Sequence, residues 1–212
     1  MWEYITGALA APVQTFRETA QKKWWRQGLL LVGGLALLRG LVGAATARAN
    51  PPLPPGLETT PEFPRFLEAA LNLLQSPLFM LIGSLLGGVL VWFLGGVIFF
   101  AIGKLFKGQG TLGGVLAGLG FAETPRLIEI PLTAVLSLLG APGTILGGVA
   151  SFGFRIWVLV LDVLAVRESL RLGTGAATAV VLIPIALVFI GLFLLGIILA
   201  VTAIFTTAPY SF

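Results

Sequence analysis

Apolar residues fill five long runs of this chain, at about 27–46, 77–103, 111–139, 145–166 and 176–203, and polar residues are confined mainly to the segments between them. Each run reaches the roughly 20 residues that a helix needs to cross a hydrocarbon core. Trp24 and Trp25 stand just before the first run, where interfacial aromatics anchor a span. Nothing alternates with the period of a strand. The pattern predicts an all-α, polytopic membrane protein, a bundle of five transmembrane helices.

Two further segments carry apolar residues at helical spacing without the length to span. Trp2, Ile5, Leu9, Val13 and Phe16 form one stripe, with Pro12 bending it and Arg17, Lys22 and Lys23 following. Residues 1–23 therefore read as an amphipathic interfacial helix, ahead of a membrane domain over 24–212. The other is Phe66, Leu67, Ala70, Leu71 and Leu74, with Arg65, Glu68 and Asn72 between them. The proline-rich stretch Asn50 to Pro64 joins it to the first span as an extended linker. Ala47-Arg48-Ala49 resembles a signal-peptidase site, but Arg39 interrupts the preceding apolar run, so the run reads as a retained span.

Composition agrees. The mean hydropathy is +1.01 and only 10% of residues are charged, too few to cover a water-soluble surface, so lipid is the expected partner of the outer faces. Twenty-eight glycines suit close helix crossings in a membrane. The net charge of +4 comes from basic residues beside the apolar runs and is no nucleic-acid signal. Arg17, Lys22, Lys23, Arg26, Lys104, Lys107, Arg167 and Arg171 fall on one side of the five-span topology, with only Arg48 and Arg65 on the other. That asymmetry predicts a cytoplasmic N-terminus and an external C-terminus, with the uncharged stretch from Thr206 to Phe212 outside.

The chain has no Cys and no His. Ser-His and Cys-His catalysis is thereby excluded, as are disulfides, and the commonest metal ligand is missing. Asp162 is the only aspartate. No enzyme, metal centre or cofactor is expected. Gly108 to Gly113 matches GxGxxG, but a dinucleotide site needs a preceding strand, and here a membrane helix precedes. The segment reads as a tight turn between spans. Small-residue pairs recur at Gly83 and Gly87, Gly114 and Gly118, and Gly143, Gly147 and Ser151. They serve packing within one bundle, or offer a glycine-rich face for a homo-oligomer.

The candidate site is the set of ionisable residues inside the spans: Arg39, Glu123, Arg126, Glu129, Arg155 and Asp162. Any one of them left alone near the bilayer centre costs at least ~2.5 kcal/mol, so mutual pairing is expected. Arg39 and Glu123 lie roughly 18 Å into their spans, and Arg155 roughly 15 Å into its own, at 1.5 Å per residue. Pro125 and Pro131 bracket the third-span group and predict a broken helix there, while Pro184 predicts a bend in the fifth. Glu123 and Glu129 form a conceivable acid–base pair, but Arg126 between them more naturally neutralises both. A broken, charged helix at mid-depth builds either a solute site or a pin that fixes helix register.

The chain also resembles a known family. Ala11-Pro12-Val13-Gln14-Thr15-Phe16 before the first span, Gly108-Gln109-Gly110-Thr111-Leu112 entering the third, Gly120-Phe121-Ala122-Glu123-Thr124-Pro125 within it and Ile156-Trp157 in the fourth are similar, in that order, to the Yip family. These are Ypt/Rab-interacting five-span integral membrane proteins. The resemblance implies a non-enzymatic membrane protein that organises or shapes the bilayer, a trafficking-like scaffold. The chain departs from the eukaryotic branch. It has no long N-terminal domain before the spans and no aspartate-leucine-tyrosine-glycine-proline signature, which points to a prokaryotic plasma membrane. The alternative is an ion or small-solute channel or transporter using the charged midplane cluster.

Overall fold

The computed structural model describes residues 1–22, 24–47, 73–74 and 76–207. The proline-rich linker, most of the expected helix at 66–74, the Ala47-Arg48-Ala49 site beyond its first residue, Lys23, Arg65 and the last five residues lie outside the described residues. All regular structure among the described residues is helical. In chain order the helices are α1 (Trp2–Ala10), α2 (Pro12–Gln21), α3 (Trp25–Ala47), α4 (Pro77–Leu105), α5 (Leu112–Ala122), α6 (Arg126–Ser137), α7 (Gly140–Leu170) and α8 (Thr174–Thr207).

Four of these, α3, α4, α7 and α8, are long and apolar enough to cross a membrane. They match four of the five expected spans, and α7 and α8 run several residues past the expected ends. The expected third span takes a different form. It consists of two short helices in series, α5 of 11 residues and α6 of 12, neither long enough to cross alone. Pro125 explains the interruption: it cannot donate a backbone hydrogen bond, and α5 ends before it. Pro131, also expected to break the chain, lies inside a continuous α6, and Pro184 inside a continuous α8. A single proline removes one i→i−4 bond, which neighbouring helices can absorb.

α5 is the centre of the molecule. Every residue from Gly114 to Ala122 is buried, because α2, α3, α4 and α7 all pack against this one short helix. Glycines set the spacing. A Cβ on Gly120 would lie 2.4 Å from Gly28 Cα, so α3 and α5 cross with their backbones nearly touching. Gly118 faces Ala165 and Ser169 of α7, where a Cβ would meet atoms at 3.0 Å. Gly143 faces the Leu136 carbonyl and closes α6 against α7. The expected pairs at 114/118 and 143/147 thus serve packing inside one chain. On α4, by contrast, Gly87 has nothing within 4 Å of a Cβ position. Buried Trp92 donates from Nε1 to the Leu116 carbonyl at 3.1 Å and ties α4 to α5, one turn before Gly96 packs on the Leu116 side chain.

The N-terminal stretch forms two helices rather than one bent helix, with Pro12 at the first position of α2. Ala8 and Phe16 are fully buried in the same core as Phe121, Leu161 and Ala165. Part of the apolar stripe thus faces protein, while Trp2 stays 73% exposed. Tyr4 packs edge-on to Trp24 with ring centroids 4.6 Å apart. Its hydroxyl accepts from Lys22 Nζ at 2.6 Å and donates to Glu18 at 3.2 Å. The bond from Tyr4 raises the Lys22 pKa above its ordinary value. This contribution is complete below the unfolded value and fades only as pH rises through the higher folded one. It is therefore constant at neutral pH.

Candidate functional site

The break after α5 decides where the charges sit. Thr124 is fully buried, and its hydroxyl donates to the Phe121 carbonyl at 2.5 Å. Backbone amides of Arg126, Leu127 and Ile128 each bond the carbonyl three residues back, at 3.0 Å. The break is therefore a tight, hydrogen-bonded turn and not an unwound stretch. It places Glu123 at the end of α5 and Arg126 at the start of α6, three residues apart, and the two form an ion pair. Arg126 Nε lies against the carboxylate without an aligned hydrogen bond. The two side chains keep 26% and 24% of their surface exposed.

What they are exposed to is a cavity of about 490 Å³ between α3, α4 and the break. That volume lies within the range of small-ligand pockets, ~300–1,000 Å³. Arg39 of α3 and Asp162 of α7 also line it, together with Gly83, Ser84, Gly87, Gly88 and Trp92 of α4. Four of the six expected charges are thus brought together: Arg39, Glu123, Arg126 and Asp162. Glu129 is buried on α6 outside the cavity wall, and Arg155 lies exposed on α7.

The expectation of mutual pairing needs correction. Among the described residues, only Glu123 and Arg126 approach within ion-pair distance inside the membrane region. Arg39 and Asp162 face the cavity without a direct partner. On α4, Gly87 has nothing within 4 Å of a Cβ position and leaves part of that space open, while Gly88 packs closely on Ala36 of α3, where a Cβ would lie 2.9 Å from the alanine Cβ. The α4 wall was not singled out as part of a site from the sequence. Its signal was the run of small residues Gly83, Ser84, Gly87 and Gly88 on consecutive turns, which reads equally well as a helix-packing face. Among the described residues no cluster of acidic side chains could hold a metal ion.

Residues 6–204 match the Yip1 domain, nearly the whole chain. The chain belongs to the Yip1 domain family. That agrees with the resemblance carried by the ordered motifs, and with four apolar helices it establishes a multi-pass membrane protein of the Yip family. No curated protein and no solved structure matches it. In this Yip1-domain protein the motif Gly120-Phe121-Ala122-Glu123-Thr124-Pro125 is the turn that carries Glu123 into the cavity. Gly108-Gln109-Gly110-Thr111 is the turn that begins α5, with the Thr111 hydroxyl accepting from the Gly114 amide at 3.2 Å.

Proposed function

We propose that this Yip-family protein binds and passes an ion or a small charged solute through its intramembrane cavity, without covalent chemistry. One observation carries the reading: four ionisable side chains share a 490 Å³ space, and only two of them pair. An unpaired charge in a dry membrane core costs at least ~2.5 kcal/mol, which favours water or a charged solute beside Arg39, and beside Asp162 either of these or a proton that neutralises it. Two cationic and two anionic groups suit a proton, a salt ion or a zwitterion. Gly87, with nothing within 4 Å of a Cβ position, gives a solute room on the α4 side. The host membrane would be a prokaryotic plasma membrane, with the N-terminus cytoplasmic by the asymmetry of basic residues.

The test is flux into proteoliposomes, scanned over protons and common ions. Wild type is expected to leak above protein-free vesicles, and Glu123→Gln to return the rate to the protein-free level while still folding. Equal flux in the two proteins would remove Glu123 from the path.

A second reading, the membrane-organising scaffold, is favoured by the N-terminal helix pair. Trp2 is 73% exposed there, and Lys22 stands at the end of α2. An exposed aromatic beside basic residues suits insertion into a leaflet. Vesicles that tubulate or tighten on reconstitution, with no flux, would favour this reading.

A further inference from the structure

A second cavity, of about 720 Å³, lies at the end of the bundle where α2, the turn before α5 and the end of α7 meet. Its character differs from the first. Arg17, Arg167 and Arg171 line it against a single carboxylate, Glu168, with Gln109 and Thr111 completing a polar wall. Glu168 holds two of the arginines, accepting from Arg17 Nε at 2.9 Å and from Arg167 at 2.9 Å. Arg171 makes no ion pair among the described residues. Three guanidinium groups against one carboxylate leave the cavity net positive.

Its walls are fixed by backbone. The Gln109 amide donates to the Leu170 carbonyl at 2.9 Å, and Ser169 Oγ donates to the Gly114 carbonyl at 3.0 Å. A Cβ on Gly110 would fall 1.8 Å from the Ser169 carbonyl oxygen, so only glycine lets the turn dock there. Lys104 Nζ bonds the Gly108 and Gly110 carbonyls at 3.1 Å each and braces the turn from the other side. The cationic groups thus surround a preformed, polar space beside the membrane-spanning ends of α4, α7 and α8. Guanidinium forks match phosphate oxygens in geometry as well as charge. Basic pockets between helices at this level hold anionic headgroups.

We infer that this cavity binds a phosphate group, presented by the headgroup of an anionic lipid or as free phosphate, with Arg171 as its open donor and Glu168 holding Arg17 and Arg167 in position. The inference does not depend on the transport reading, since it uses none of the residues around the first cavity.

The test is thermal unfolding of the full chain in detergent, with phosphatidylglycerol, phosphatidylcholine or inorganic phosphate added separately. Binding to the folded state raises the midpoint in proportion to occupancy. Arg171→Gln is compared with Lys107→Gln. Both residues have positive φ, 54° and 62°, both are exposed, and only Arg171 lines the cavity. The expected result is a rise with phosphatidylglycerol that exceeds the rise with phosphatidylcholine. Apparent affinity should fall about fivefold in Arg171→Gln and stay unchanged in Lys107→Gln. A rise with inorganic phosphate alone, showing the same dependence on Arg171, supports the site with free phosphate as the source. Equal rises with both lipids, equal losses in both variants, or no rise with any probe would overturn it.

Discussion

Gly120→Ala is expected to destabilise the protein by about 2 kcal/mol, read as a lower midpoint in denaturant titration in mixed micelles. The added methyl would lie 2.4 Å from Gly28 Cα and 2.9 Å from the Gly28 carbonyl oxygen. Both are backbone atoms, which cannot rotate away as a side chain can, so α3 must move as a unit. α3 carries Arg39 and one wall of the first cavity, so the displacement should also reach the charged cluster. Gly148→Ala is the matched control on α7, with nothing within 4 Å of the new carbon. Helix propensity alone would make it neutral or slightly stabilising. If both variants lose the same stability, the close crossing is not what positions α3.

The second large effect concerns the break itself. Arg126→Glu would set a new carboxylate against Glu123, with Asp162 facing the same cavity. Breaking a partly buried pair and leaving like charges should cost about 3–5 kcal/mol in the same titration. Exchanging both residues, Glu123→Arg with Arg126→Glu, keeps one charge of each sign three residues apart across the turn. Most of the loss should then be recovered. Recovery would be a coupling energy specific to the pair. Additive losses would mean that each charge is held by something other than its partner, and the ion pair would no longer account for the closed geometry of the turn.

Much of this was legible along the chain. Apolar run lengths located α3, α4, α7 and α8 to within several residues, because a helix in lipid must satisfy its own backbone over a fixed thickness. Pro125 announced the interruption between α5 and α6. Hydropathy could not show that α5 would be surrounded on every side, since an apolar helix reads the same facing lipid or protein. Gly28 against Gly120 was hidden for a related reason: the two glycines lie on different helices with no shared spacing to expose them.

The charged cluster was visible as residues and misjudged as an arrangement. Balance in number suggested pairing, yet pairing depends on what fills the space between helices. On α4 that is open space at Gly87 and close packing on Ala36 at Gly88. Arg155 shares a helical stripe with Asp162, seven residues away, and still lies exposed and outside the cavity. The arginine-lined cavity at the end of the bundle was split in sequence among three segments. Its glycine turn was legible only as a turn.

Everything proposed for the first cavity requires that it be wet. The chain has no cysteine, so a single Gly87→Cys substitution reports that space without background. Gly87 lines the cavity and has room for a side chain, and Val149→Cys, on an exposed apolar face of α7, serves as the lipid-facing comparison. In reconstituted vesicles, a water-borne, membrane-impermeant thiol reagent should modify Gly87→Cys and leave Val149→Cys untouched. Equal protection of both cysteines until the protein is denatured would mean a dry cavity, and would contradict the account at its centre.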